Sequence, residues 1–137
     1  MRFKWIVAAA FAAAIAAGPS YAEHIDVDLH DFDEELMKSL DQAFKYFDPD
    51  LSAGNVSSAT EEEATIRYVF QWTKAYFGKR DSGEKAVGLA QQGLDMLDAV
   101  DKAVAEKNFD AASDRAHDLS QTCKACHDLY KPLKARS

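Results

Sequence analysis

Residues 109–133 read FDAASDRAHDLSQTCKACHDLYKPL. Along them Phe109, Ala112, Ala116, Leu119, Cys123, Cys126, Tyr130 and Leu133 recur at alternating spacings of three and four. That is the buried seam of a helix packed among other helices. Both cysteines of the chain lie on this seam, within Cys123-Lys124-Ala125-Cys126-His127. Cys-x-x-Cys-His is the specific sequence form of a covalent haem attachment site: each thiol adds across one haem vinyl group, and the adjacent imidazole reaches the iron. Carried on an inward seam, such a haem sits inside the helical bundle.

Other chemistries of a cysteine pair fit the sequence less well. A thioredoxin-type dithiol sits at a strand-to-helix junction of an α/β pattern, and no such alternation occurs. A structural zinc site takes four ligands, usually from two separated pairs, and there is no second cysteine pair. A disulfide between residues three apart closes a small strained loop and gains little chain entropy. The redox dithiol is the alternative to haem.

Upstream, three more amphipathic segments appear. Leu29, Phe32, Leu36, Leu40, Ala43 and Phe47 mark one face of a first helix, expected to stop at Pro49. Thr60 and Glu63 have the spacing of a capping box at the start of a second helix, which runs through Ile66, Val69, Phe70 and Phe77 to Gly78. Asp81 and Glu84 repeat that pattern before a third, with Val87, Ala90, Leu94, Leu97, Val100 and Val104 on its face. Gly88 and Gly93 weaken this helix, though a glycine also permits close approach of something bulky. Pro132 is expected to end the fourth helix. Without alternating β-type runs, the expected fold is all-α, an antiparallel four-helix bundle with covalently attached haem.

The first 22 residues read as a secretory signal: Arg2 and Lys4 precede an apolar run from Trp5 to Ala17, and Ser20-Tyr21-Ala22 is a small-x-small cleavage site. Export to the periplasm and cleavage after Ala22 are expected, leaving one 23–137 domain and no membrane anchor, since the run is short of the ~20 residues of a span. A non-cytoplasmic compartment suits both covalent haem attachment and an otherwise oxidisable thiol pair. The mature chain holds 14 basic against 23 acidic residues, nine net negative charges with His neutral. Such a surface repels nucleic acid and anionic lipid, and a redox partner protein would meet it with a basic docking patch.

Cys123, Lys124, Cys126 and His127, followed by Tyr130 and Lys131, sit near the C-terminus on the fourth predicted helix. In this the sequence resembles the class II c-type cytochromes, the family that includes cytochrome c prime. The family commonly has an aromatic and then a basic residue at the positions of Tyr130 and Lys131. Ser120 stands where a glycine is frequent, and the first helix lacks an arginine that often lies near the haem.

Leu36-Met37-Lys38 resembles the segment over the distal haem face, where the low-spin branch has a ligating methionine. The resemblance therefore implies one haem c held by Cys123 and Cys126, with His127 and Met37 as axial ligands on the iron. A methionine at helical spacing is otherwise a core filler. His/Met is a known axial pair that raises the potential. The function so implied is electron transport by a periplasmic monohaem cytochrome, not an enzyme. The alternative is a cytochrome c prime-like protein whose five-coordinate iron binds nitric oxide or carbon monoxide as a small gas ligand. Relatives are often homodimers, and the first two helices would supply such an interface.

The remaining candidates are bland. His30 lies seven residues before Met37, about 10 Å away along a helix axis, so only one of the two reaches an iron. His24 and His117 are expected in solvent, and Met96 is on another helix. Tyr68, Trp72 and Tyr76 form a four-residue stripe expected in the core. Arg67 and Lys74 are candidates for haem propionates, with solvated surface as their default role.

Overall fold

The computed structural model describes residues 24–131. The signal segment 1–22 with Met1, and Pro132 and Leu133 at the expected end of the last helix, lie outside the described residues. Four helices are present, α1 Glu34–Ala53, α2 Val56–Gly78, α3 Glu84–Ala105 and α4 Phe109–Tyr130, with no strand among the described residues. Each packs on its neighbour in the chain, and α1 packs on α4, so the four close into a ring. Short connections make successive helices antiparallel. None of these helices is long and apolar enough to cross a membrane.

Up-and-down order brings the start of α1, the end of α2, the start of α3 and the end of α4 to one end of the bundle. The tightest packing lies away from it. Phe47, Leu51, Ile66, Val69, Leu97, Val100 and Leu119 are the largest fully buried side chains, each contributing about 1.5–3 kcal/mol by leaving water. At the motif end a smaller cluster forms around Tyr76, Phe77, Ala86 and Tyr130. Tyr130 ties it together: its hydroxyl donates to Ser82 O at 2.9 Å and accepts from the Ala86 N–H at 3.1 Å.

Four helix boundaries differ from the sequence expectation. α1 starts at Glu34, where Asp33 caps it by accepting from the Glu35 N–H at 3.0 Å. Residues 24–33 form an irregular strap instead, and Leu29 and Phe32 reach the second cluster from it. Pro49 does not stop α1. Its ring faces solvent, while Phe47 and Leu51 on either side are buried and hold the last turn. The helix ends at Gly54, in the left-handed region at φ 73°, whose N–H reaches the Asp50 and Leu51 carbonyls. α2 begins at Val56, a turn ahead of the expected capping box. Thr60 Oγ1 donates back to Val56 O at 2.7 Å rather than capping, and the buried Ala59 draws this extra turn into the core. For α3, Asp81 makes no side-chain cap, and Gly83 occupies the cap position.

Gly93 is where bulk approaches closely. A Cβ there would lie 2.3 Å from Phe70 Cε1. Alanine is the better helix former by about 1 kcal/mol, yet overpacking of this kind costs about 1–3 kcal/mol. Gly93→Ala is therefore expected to lower the melting temperature by several degrees, read by circular dichroism. An unchanged or raised temperature would mean that Phe70 swings aside at no cost.

Candidate functional site

Between the main core and the second cluster lies a cavity of about 850 Å³, in the upper part of the range for small-molecule and cofactor sites. α1 contributes Met37, Leu40 and Phe44, α2 Phe70, Thr73 and Phe77, and α3 Ala86, Leu89 and Ala90. From α4 come Thr122, Cys123, Cys126, His127 and Tyr130, and from the strap Leu29 and Phe32. The charged lining residues Glu34, Lys38, Asp41, Lys124 and Lys131 are all exposed. The cavity thus has an apolar interior and a charged rim.

All four residues singled out from sequence, Met37, Cys123, Cys126 and His127, line this one cavity. Helical spacing places the two thiols on one wall, one turn apart. Cys123 packs against the main core and Cys126 against the second cluster, so the pair straddles the edge of the cavity. Met37 comes from α1, a different wall.

Electrostatics separate the chemistries open to the thiols. Both are free and half-buried, and burial pushes each up to about 11 from an ordinary value of 9.0. At neutral pH they are thiols. A disulfide oxidoreductase works through a thiolate stabilised well below the ordinary range, so the redox dithiol fits this wall poorly. Among the described residues no three His, Cys, Asp or Glu side chains come together to hold a metal ion, which is the arrangement a zinc site would need. His127 is the most exposed of the four. Burial of part of it, and then the Lys131 ammonium, lower its pKa from 6.5, which favours the neutral imidazole that binds metals.

A haem fits these surroundings by the chemistry of its parts. Its macrocycle is apolar, as is the interior. Two thiols stand on the wall, the groups that add to haem vinyls, and the same cavity is lined by an imidazole and a thioether, the side-chain types that ligate haem iron. Its carboxylates belong at a rim, and the rim has Lys38, Lys124 and Lys131. Lys38 is bonded to Glu35 at 2.5 Å and Lys124 to Asp128 at 2.7 Å. These lysines adjoin Met37 and the Cys-x-x-Cys-His motif in sequence, a proximity from which they could have been found.

Other candidates lie elsewhere. Arg67 is tied to Glu63, Asp98 and Asp101 at 2.8, 2.9 and 3.1 Å, and Lys74 donates to Gln91 at 2.6 Å; neither lines the cavity. His30 is exposed and bonded to Asp28 at 2.8 Å, in a separate polar hollow. His117 is exposed as expected, but His24 is half-buried, because the next residue, Ile25, is pinned to α4 by its N–H to Leu129 O at 2.7 Å. Met96 packs on the main core. Of the aromatic stripe, Tyr76 is buried, Trp72 half-buried and Tyr68 57 % exposed. Each four-residue step turns about 40° around a helix, so the stripe drifts from solvent into the core.

No protein-family model matches this chain, and no curated protein or solved structure matches it either.

Proposed function

We propose that this protein is an exported monohaem c-type cytochrome that carries electrons in the periplasm. The observation that carries this reading is the sharing of one apolar cavity by Met37, Cys123, Cys126 and His127. Cys123 and Cys126 would hold haem c through two thioether bonds. In each, the S–H adds across a vinyl double bond, sulfur to one carbon and hydrogen to the other, with no net redox change. The bound haem supplies a one-electron ferric/ferrous couple.

The chain's own residues set the conditions for that couple. His127 from α4 and Met37 from α1 would hold the iron in this reading, and a thioether paired with an imidazole in its ligand set favours the reduced state. The apolar walls contributed by Phe44, Phe70, Phe77 and Leu89 exclude water, which further disfavours the more highly charged oxidised state. Lys38, Lys124 and Lys131 at the rim offset carboxylate charge. The net negative surface of the mature chain suits a redox partner with a basic docking patch.

Optical and electron paramagnetic resonance spectra of the purified protein, oxidised and reduced, test this. A low-spin spectrum, a ferric sulfur-to-iron charge-transfer band and no response to carbon monoxide are expected. A high-spin spectrum with ready carbon monoxide binding would replace the electron carrier with a five-coordinate gas-binding protein.

A further inference from the structure

The strap 24–33 precedes α1 and has no regular secondary structure, yet it builds one wall of the cavity through Leu29 and Phe32. Phe32 meets Trp72 and Tyr76 edge-on, with ring centroids 5.0 and 4.9 Å apart. Next to it in sequence, Asp31 makes a convergent set of polar contacts with α2 and its C-terminal side. Arg80 Nη2 donates to both Asp31 carboxylate oxygens at 2.6 and 2.8 Å, and the Tyr76 hydroxyl donates to one of them at 2.7 Å.

Arg80 is itself held in place. Its Nη1 donates to Tyr76 O at 2.9 Å, and its guanidinium lies 3.4 Å from the centre of the Tyr76 ring. The acceptor on the strap therefore meets two donors already oriented by the bundle, an arrangement stronger than a lone surface ion pair. The strap's backbone contributes an N–H from Ile25 to α4 and the internal turn from Phe32 N–H to Leu29 O. A segment with so little backbone bonding opens locally at a free energy set by its side-chain contacts.

We propose that the strap is a latched gate over the cavity, and that Asp31 is the latch: a positioning residue that holds Leu29 and Phe32 on the cavity and so restricts the access of small exogenous ligands. The proposal takes the haem reading as its premise for the ligand, while the latch itself is a property of the polypeptide. Opening at Asp31 releases Phe32 from its edge-on contacts with the stacked pair Trp72 and Tyr76 and exposes the cavity beside the second cluster. Specificity then comes from closure as well as from axial ligation.

Two measurements on the purified haem-bearing protein test this. The first is hydrogen–deuterium exchange read by mass spectrometry over residues 24–33, comparing the unaltered protein with Asp31→Ala. Exchange there is expected to be about tenfold faster in the variant while α3 and α4 peptides keep their protection. The second is the stopped-flow association rate of carbon monoxide with the ferrous protein in a Met37→Ala background, where an axial position is vacant on either ligation reading. Adding Asp31→Ala is expected to raise that rate about tenfold, and Asp31→Glu to restore most of the slow rate. Unchanged exchange would overturn the latch; faster exchange with an unchanged association rate would overturn the gate. A protein that carries no haem would instead overturn the proposed function, and the exchange comparison would still decide the latch.

Discussion

In a Cys123→Ala, Cys126→Ala variant, haem is expected to leave the polypeptide completely on denaturing electrophoresis, where the unaltered protein is expected to keep it as a haem-staining band. The two thiols stand on the cavity wall contributed by α4, and burial keeps them protonated at neutral pH. In the proposed reading both are spent on addition to the haem vinyl groups. Each single variant retains one thioether and is expected to keep covalent haem at reduced yield. In the double variant His127 and Met37 would remain as dissociable ligands on the proposed reading, so the holoprotein is expected to become a reversible complex whose stability depends on haem concentration. The thermal transition is expected to fall, since a cavity of about 850 Å³ then depends on a dissociable occupant. Covalent haem surviving in the double variant would show that attachment runs through neither cysteine.

Met37→Ala is expected to convert a low-spin ferric spectrum to a high-spin one, abolish the sulfur-to-iron charge-transfer band and admit carbon monoxide to the ferrous protein. A thioether that leaves the iron for about 1 % of the time or less reduces the apparent affinity for an exogenous ligand by that fraction, so its removal is expected to raise carbon monoxide affinity by about 100-fold or more. The potential is expected to fall as well, because the ligand that favours the ferrous state is gone. Folding should be affected less. Met37 is half-buried on the first turns of α1 and packs against the edge of the main core, where truncation to alanine costs about 2 kcal/mol. An unchanged spectrum and unchanged carbon monoxide affinity would leave Met37 a wall residue, and would hand the distal face to the gas-binding reading.

The helical seams were the most legible part of the sequence. On α4 the three-and-four spacing marked Ala112, Ala116, Leu119 and Tyr130, all buried, because helical periodicity is a local property that only needs one face to meet a core. Gly88 and Gly93 read alike as points where bulk could approach, but only Gly93 meets a neighbour, Phe70, while a Cβ at Gly88 would meet nothing within 4 Å. Helix ends were less legible. Thr60 and Glu63 matched a capping box, but with Ala59 buried the helix starts a turn earlier, at Val56, and Asn55 became the cap residue. At Pro49 the missing N–H argued for a stop. Burial of Phe47 and Leu51 outweighed one lost backbone bond.

By itself the sequence determined an all-helical chain of four segments, an inward-facing cysteine pair and an adjacent imidazole, since motif and periodicity are carried by neighbours along the chain. The tertiary structure decided what those residues face. Met37 and Cys123 are separated by most of the chain, and only the antiparallel ring brings the start of α1 beside the end of α4. It likewise decided that Lys38, Lys124 and Lys131, rather than Arg67 and Lys74, form the rim, and that Leu29 and Phe32 serve from a strap held by Asp31. A strap of this kind has no period to read. Its conformation comes from pairing with Arg80, Tyr76 and Leu129, partners that exist as neighbours only once the bundle has closed.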